Sequence, residues 1–79
     1  MRLIILQPNR TIFNGDVKSV TLPGKNGQFT LLTRHAPLIS TLEKGVIKYR
    51  IAKNKTYEAL SINGGFAKVK QDLITVCID

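Results

Sequence analysis

The sequence of 79 residues contains few of the residue types that build disulfides or metal centres. Its single cysteine, Cys77, has no partner for an internal disulfide, which favours a reducing compartment. One cysteine and one histidine cannot supply the four ligands of a structural zinc site. The apolar run at residues 3–6 is shorter than the roughly 7 to 15 residues of a signal peptide or the about 20 of a spanning helix. We therefore expect a soluble chain without a targeting segment.

Acidic residues are also scarce, with five Asp and Glu against twelve Lys and Arg, which gives a formal net charge of +7. This charge favours an acidic partner, such as nucleic acid, anionic lipid or an acidic protein, and does not choose among them. The 43% hydrophobic and 22% charged content is that of a globular protein and argues against disorder. Because domains usually need about 100 to 150 residues, residues 1–79 can form only one small domain.

No segment of ten or more residues has helical periodicity, and turn-forming residues recur along the whole chain. Short apolar and β-branched segments between regular turns are typical of an all-β sandwich or barrel. Ile47, Tyr49 and Ile51 alternate with Lys48 and Arg50, as in a strand with one buried face. The sequence predicts strands at residues 2–7, 11–13, 16–22, 28–32, 38–42, 45–52, 56–60, 66–70 and 73–78. Strands of this number and length predict two small packed sheets.

The first and last predicted strands, residues 3–6 and 73–78, are apolar on both faces. Strands that are covered on both sides have this pattern. Either another protein or a second copy covers the outer face, or the chain ends pack centrally in a small sandwich.

No motif in the sequence indicates catalysis, a metal or a cofactor. Ser19, Ser40, Ser61 and His35 occur outside any nucleophile-elbow or paired-carboxylate context, so we expect no enzymatic activity of the chain itself. The glycine-containing segment 23–27 lacks the spacing of a phosphate-binding loop and precedes a predicted strand, so we expect a turn there. We expect Cys77 to be a small buried apolar residue rather than a reactive thiol.

A basic β-domain of this size can also bind single-stranded nucleic acid, and this function is the alternative hypothesis. Such surfaces stack bases on exposed aromatic side chains among cations. The three phenylalanines have the pattern of core or turn-flanking residues. Tyr49 and Tyr57, on paired strands with nearby lysines and arginines, are the candidates for a stacking platform.

His35 stands before Ala36 and Pro37 in a predicted loop between strands. Since a proline holds the preceding chain extended, we expect His35 to lie in an ordered loop at the rim of the fold. There it serves either as a structural residue or as a contact to a partner.

The order of motifs along nearly the whole chain resembles the amino-terminal domain of the epsilon subunit of bacterial F-type ATP synthases, called delta in mitochondria. Single motifs of this set are common, whereas their joint order is specific. The motifs are Pro8, Phe13-Asn14-Gly15-Asp16-Val17, Val20-Thr21-Leu22-Pro23-Gly24, Gly27-Gln28-Phe29-Thr30-Leu31-Leu32, His35-Ala36-Pro37-Leu38, Leu42-Glu43-Lys44-Gly45-Val46 and Asn63-Gly64-Gly65-Phe66.

The resemblance implies a flattened sandwich of two five-stranded sheets on the central rotor stalk. It implies that the domain packs against the gamma shaft and rests on the polar loops of the c-ring, coupling proton flow to ATP synthesis or hydrolysis. The complex would lie on the cytoplasmic face of the bacterial inner membrane. The positions that would contact gamma are His35, Ala36, Pro37, Leu38 and Ser40. The positions that would contact the c-ring are Asn26, Gly27 and Gln28.

The sequence departs from the family pattern in two places. Family members often carry an acidic residue where Gln28 stands, so the resemblance implies a neutral hydrogen bond to the ring rather than a salt bridge. The usual carboxy-terminal helical hairpin is absent from residues 1–79. We therefore expect neither inhibition by an extending hairpin nor a nucleotide site on it.

Overall fold

The computed structural model describes residues 1–33, 36–53 and 56–79, and every regular element in these residues is a β-strand. No helix capable of crossing a membrane occurs in these three segments. The strands are β1 (Arg2–Gln7), β2 (Arg10–Gly24), β3 (Gly27–Leu31), β4 (Leu38–Leu42), β5 (Gly45–Ile51), β6 (Tyr57–Ile62), β7 (Gly65–Lys70) and β8 (Leu73–Ile78). The all-β architecture expected from the sequence is confirmed.

The long strand β2 belongs to both layers of the sandwich. Its first part pairs with β1, which continues through β8 and β7 to β4, and these segments form what we call the five-stranded sheet. The later part of β2 pairs with β3 on one side and with β5 and then β6 on the other, forming the four-stranded sheet. One further pairing, between Gly24 and Leu42, joins the end of β2 to β4. The two layers are therefore one continuous hydrogen-bonded network.

Side chains from both sheets meet in a single core, as strand alternation predicts. The predicted alternation in β5 is observed, since Ile47 and Tyr49 are buried while Lys48 is exposed. The buried apolar residues are Leu3, Ile5, Val17, Val20, Leu22, Leu31, Leu42, Ile47, Tyr49, Ile62, Ala67, Val69, Ile74, Val76 and Ile78. No buried side-chain polar atom among the described residues lacks a hydrogen-bond partner.

The predicted turn at Asn14 and Gly15, between strands 11–13 and 16–22, is wrong. The structure has one strand through these positions, because Asn14 and Gly15 pair with Ile4 and Leu3 of β1. The Arg2 side chain adds a hydrogen bond from Nε to Asn14 Oδ1 at 2.9 Å. Ladder pairing on β1 therefore overrides the local preference of Asn-Gly for a turn.

The predicted turn at residues 23–27 is confirmed as a hairpin tip. Gly24 pairs with Gly27, and Lys25 with Asn26 forms the two-residue connection between β2 and β3. Gly27 has a φ of 123°, which a residue without a side chain adopts at least cost. The hairpin tip is thus a tight and well-defined feature at one end of the sandwich.

Candidate interaction site

A groove lies where the β2–β3 hairpin tip meets β4. Its volume is about 530 Å³. The residues that line it are Gly24, Lys25, Asn26, Gly27, Gln28, Phe29, Ile39, Ser40 and Thr41. The groove therefore combines residues 24–29 with residues 39–41, two segments that are not adjacent in the sequence.

Two main-chain hydrogen bonds hold the hairpin against β4 beside the groove. The Lys25 N–H donates to the Thr41 carbonyl oxygen, and the Glu43 N–H donates to the Pro23 carbonyl oxygen, both at 2.9 Å. Because main-chain groups make these bonds, the position of the hairpin depends little on side-chain identity. The groove is consequently part of the fold itself.

The residues predicted to contact the c-ring form one side of this groove. Asn26, Gly27 and Gln28 are all exposed at the hairpin tip. Ser40, from the set predicted to contact gamma, lies on the opposite side. Ser40 is half-buried as a residue, and its hydroxyl donates to the Thr41 carbonyl oxygen at 3.2 Å. The structure thus brings together members of both predicted sets.

The other predicted gamma contacts lie at the start of β4 rather than in this groove. Ala36 and Pro37 are exposed, and Leu38 is half-buried. Pro37 and Leu38 contribute to a second, more apolar groove of about 430 Å³, which is also lined by Ile39 and residues 68–70 of β7. His35 lies outside the described residues, so its predicted contact stays a prediction.

Five residues that line the first groove were not predicted as site residues: Gly24, Lys25, Phe29, Ile39 and Thr41. Ile39 borders both grooves and is 76% exposed, the largest value among the exposed large apolar side chains of the described segments. The alternation in β4, with Leu38 and Leu42 turned inward, was the available signal. It places Ile39 on the outer side of the strand, where an apolar residue is unusual.

The chemistry of this groove is that of binding rather than of catalysis. Lys25 is its charged side chain, and no carboxylate lines it among the described residues. Ser19, Ser40 and Ser61, which the sequence offered as nucleophiles, lie on three different strands. Within residues 1–33, 36–53 and 56–79, no three His, Cys, Asp or Glu side chains are grouped as metal ligands.

The outer face of the five-stranded sheet carries further apolar side chains. Leu6 of β1, Cys77 of β8 and Phe66 of β7 lie in one row across the strands. Leu6 and Cys77 are half-buried, while Phe66 is 50% exposed. Phe66 is therefore not a core residue but flanks the connection between β6 and β7, which was the other expected alternative. Cys77 is a free thiol that is less buried than expected. This face agrees with the doubly apolar pattern of the terminal strands.

The tyrosine platform of the nucleic-acid hypothesis does not form. Tyr49 pairs with Glu58 and points into the core, at 8% exposure, where its ring lies 4.5 Å from that of Phe13. Tyr57 pairs with Arg50 on the outer face and is 65% exposed. Adjacent positions in a ladder point to opposite faces, so the two rings cannot stack on successive bases.

The environment of Tyr49 also changes its acidity. Burial raises the pKa of its hydroxyl above the ordinary value of 10.0, and the negative charge of Glu58 raises the pKa further. Tyr49 is therefore a neutral core residue at physiological pH.

Known proteins share both the sequence and the fold of this chain. The family described as "ATP synthase, Delta/Epsilon chain, beta-sandwich domain" matches residues 1–79. The ATP synthase epsilon chain of Aliarcobacter butzleri is 47% identical over 79 residues, which covers 100% of this chain and 62% of that protein. The epsilon chain of Sulfurovum sp. is 44% identical, with 100% and 61% covered, and that of Nostoc punctiforme is 37% identical, with 95% and 55% covered.

Two solved structures of mitochondrial ATP synthases contain chains with the same fold. The Euglena gracilis structure, of OSCP, F1 and c-ring, contains a chain that superposes with a TM-score of 0.89 at 19% identity, covering 96% of this chain and 48% of that one. The Tetrahymena thermophila central stalk and c-ring structure gives a TM-score of 0.84 at 13% identity, with 98% and 61% covered. This chain spans 55% to 62% of the length of the three curated relatives described above. The full-length family match and these identities establish that the chain belongs to the ATP synthase delta/epsilon chain β-sandwich domain family.

Proposed function

We propose that the chain is a non-catalytic domain of the central rotor stalk that links the gamma shaft to the c-ring of a proton-translocating F-type ATP synthase. In this role it passes rotation between the ring and the catalytic head on the cytoplasmic face of the bacterial inner membrane. The observation that carries the proposal is the groove, where Gln28 of the c-ring set and Ser40 of the gamma set lie at one end of the sandwich.

A linking domain needs two contact surfaces that cannot move relative to each other. The main-chain bonds from Lys25 to Thr41 and from Glu43 to Pro23 meet this need, because they fix the hairpin tip to β4. A standard protein interface buries about 800 Å² on each partner, which exceeds what one groove supplies. The exposed Ala36 and Pro37 beside the second groove extend the surface available to gamma.

The c-ring part of the proposal is tested with Gln28→Lys at the hairpin tip. We expect the variant to fold like the wild type, because Gln28 is exposed, and to lose at least about tenfold in affinity for a purified c-ring in detergent. Ser61→Lys is the matched control, since it adds the same charge on an exposed position of the same sheet, three strands from Gln28. Equal affinities for all three proteins would contradict the c-ring contact.

The gamma part is tested with Ser40→Lys and isothermal titration calorimetry against the purified gamma subunit. We expect weaker binding to gamma, while thermal unfolding reports how much of the loss comes from the half-buried position of Ser40. Gln28→Lys serves as the second comparison. If gamma affinity is unchanged in a folded Ser40→Lys protein, Ser40 lies outside the gamma surface.

A further inference from the structure

The main chain of β4 has an outer edge that no described strand covers along most of its length. The Thr41 carbonyl oxygen accepts from Lys25, so the main-chain groups of Thr41 point away from β7, the ladder partner of β4. In an antiparallel ladder these directions alternate from residue to residue. The N–H and C=O of Ile39 therefore also point away from β7, and within the described segments they have no main-chain partner.

Two features of an interaction site therefore meet at Ile39. Its side chain is the most exposed of the large apolar side chains described, and its main chain offers an unpaired donor and acceptor beside the groove. Edge strands that remain free are usually protected by lysine, proline or a bulge. Residues 38–42 contain no lysine or proline, and their pairing with β7 has no register shift.

We propose that the outer edge of β4 accepts an extended segment of the gamma subunit as an added strand, with the N–H and C=O of Ile39 as the central hydrogen-bonding pair. This inference rests on the proposed function for the identity of the partner. An extended chain is the occupant that fits, because it presents main-chain acceptors and donors in register with a strand edge. The Ile39 side chain packs against an apolar side chain of the same segment.

The surroundings of this edge also define the chemistry of the segment. Lys68 is directly across from Ile39 on β7, and Lys25 lines the first groove. No carboxylate lines either groove in the described residues. An extended segment with acidic residues flanking an apolar one complements this arrangement, and its binding weakens with added salt.

The test removes one main-chain donor without disturbing the β4–β7 ladder. Ile39→Pro eliminates the N–H that points away from β7, and proline is tolerated on the open edge of a strand. We expect this variant to remain folded and to bind the purified gamma subunit at least about tenfold more weakly than the wild type. Ile39→Thr is the matched control, because it removes the apolar side chain but retains the main-chain N–H. We expect Ile39→Thr to bind the gamma subunit more tightly than Ile39→Pro does.

A second pair of measurements checks the geometry itself. Ser40→Pro removes an N–H that points toward Ala67 of β7, so it lowers the melting temperature far more than Ile39→Pro does. Hydrogen exchange gives a direct readout of the added strand: the Ile39 amide exchanges rapidly in the free protein and slowly in the complex.

Each outcome decides a separate question. If Ile39→Pro binds gamma as the wild type does, or if the Ile39 amide is unprotected in the complex, strand addition is wrong while the proposed function stands. If the wild-type chain does not bind gamma at all, both the proposed function and the strand addition are wrong. Weak binding by Ile39→Pro together with amide protection in the wild-type complex supports the inference.

Discussion

Replacement of Gly65 by alanine is expected to destabilise the domain strongly. Gly65 has a φ of 154° and pairs both with Leu42 of β4 and with Ile78 of β8. A Cβ at this position would overlap the carbonyl oxygen of Cys77 and lie 3.0 Å from the Cα of Ile78. Because both contacts are with main chain, no side-chain rotation relieves them, and β7 must separate from β8.

The cost follows from two contributions. An alanine in this backbone conformation costs about 1–2 kcal/mol. Separation of the strands loses about two ladder hydrogen bonds, each worth about 1 kcal/mol. Together these contributions amount to about 3–4 kcal/mol. The total free energy of unfolding expected for a domain of this length is about 4–12 kcal/mol, so the loss is a large part of it. We therefore expect the melting temperature of Gly65→Ala, followed by circular dichroism, to fall by at least about 12 °C.

Gly27→Ala is the control for this prediction. Gly27 also has a positive φ, of 123°, but a Cβ there would meet no atom within 4 Å. Gly27→Ala therefore has the unfavourable backbone conformation without the steric clash. We expect it to lower the free energy of unfolding, measured in urea, by about 1–2 kcal/mol. If the two variants lose equal stability, the close approach of β7 to β8 at Gly65 is not what requires glycine.

Two further predictions concern the core. In urea unfolding, Ile5→Ala is expected to lower the free energy of unfolding by about 2–5 kcal/mol, because the Ile5 side chain is buried in the core. The Ile4 side chain is half-buried on the outer face, so Ile4→Ala is expected to lower the free energy of unfolding by about 1 kcal/mol. Equal losses for the two variants would contradict the assigned faces of β1. Burial and the charge of Glu58 raise the pKa of Tyr49 in the folded state, so the hydroxyl ionises at a lower pH in the unfolded chain than in the folded one. The contribution of Tyr49 to the free energy of unfolding is therefore fully present below about pH 10. It is lost as the pH rises through the raised pKa of the folded state. Tyr49→Phe is expected to reduce this alkaline loss, measured as the urea midpoint against pH, and Tyr57→Phe to retain it.

Strand alternation was a reliable guide to the fold because it is a local property. Ile47 and Tyr49 are two residues apart, so they share a face whatever the partner strand is. The same reasoning failed at Asn14 and Gly15, where the preference for a turn is local but the pairing with β1 is not. A ladder partner ten or more residues away cannot be predicted from the turn residues themselves.

The tyrosine pair shows why register is harder to predict than strands. Tyr49 and Tyr57 lie on paired strands, as expected, but the observed register places Tyr49 opposite Glu58 and Tyr57 opposite Arg50. A shift of one residue would have placed the two tyrosines side by side on one face. The connection between these strands, residues 52–56, is long enough to allow either register, so the sequence does not decide between them.

The candidate site was predicted in part for the same reason. The resemblance supplied Asn26, Gly27, Gln28 and Ser40 as residues of two separate surfaces. Their shared groove depends on the contact of the hairpin tip with β4, which is tertiary. The alternation in β4 was enough to place the Ile39 side chain outward, but its open main-chain edge becomes evident only when the partners of β4 are known.

The participation of β2 in both sheets has a mechanical consequence for the domain. Two sheets held together only by side-chain packing can slide over each other when opposite forces act on them. Here such sliding would have to break the ladder of β2 with β1 or its ladder with β5, because the same strand runs through both. Force applied along β2 loads the hydrogen bonds of each ladder together rather than one after another. The sandwich therefore resists shear as a single stiff body.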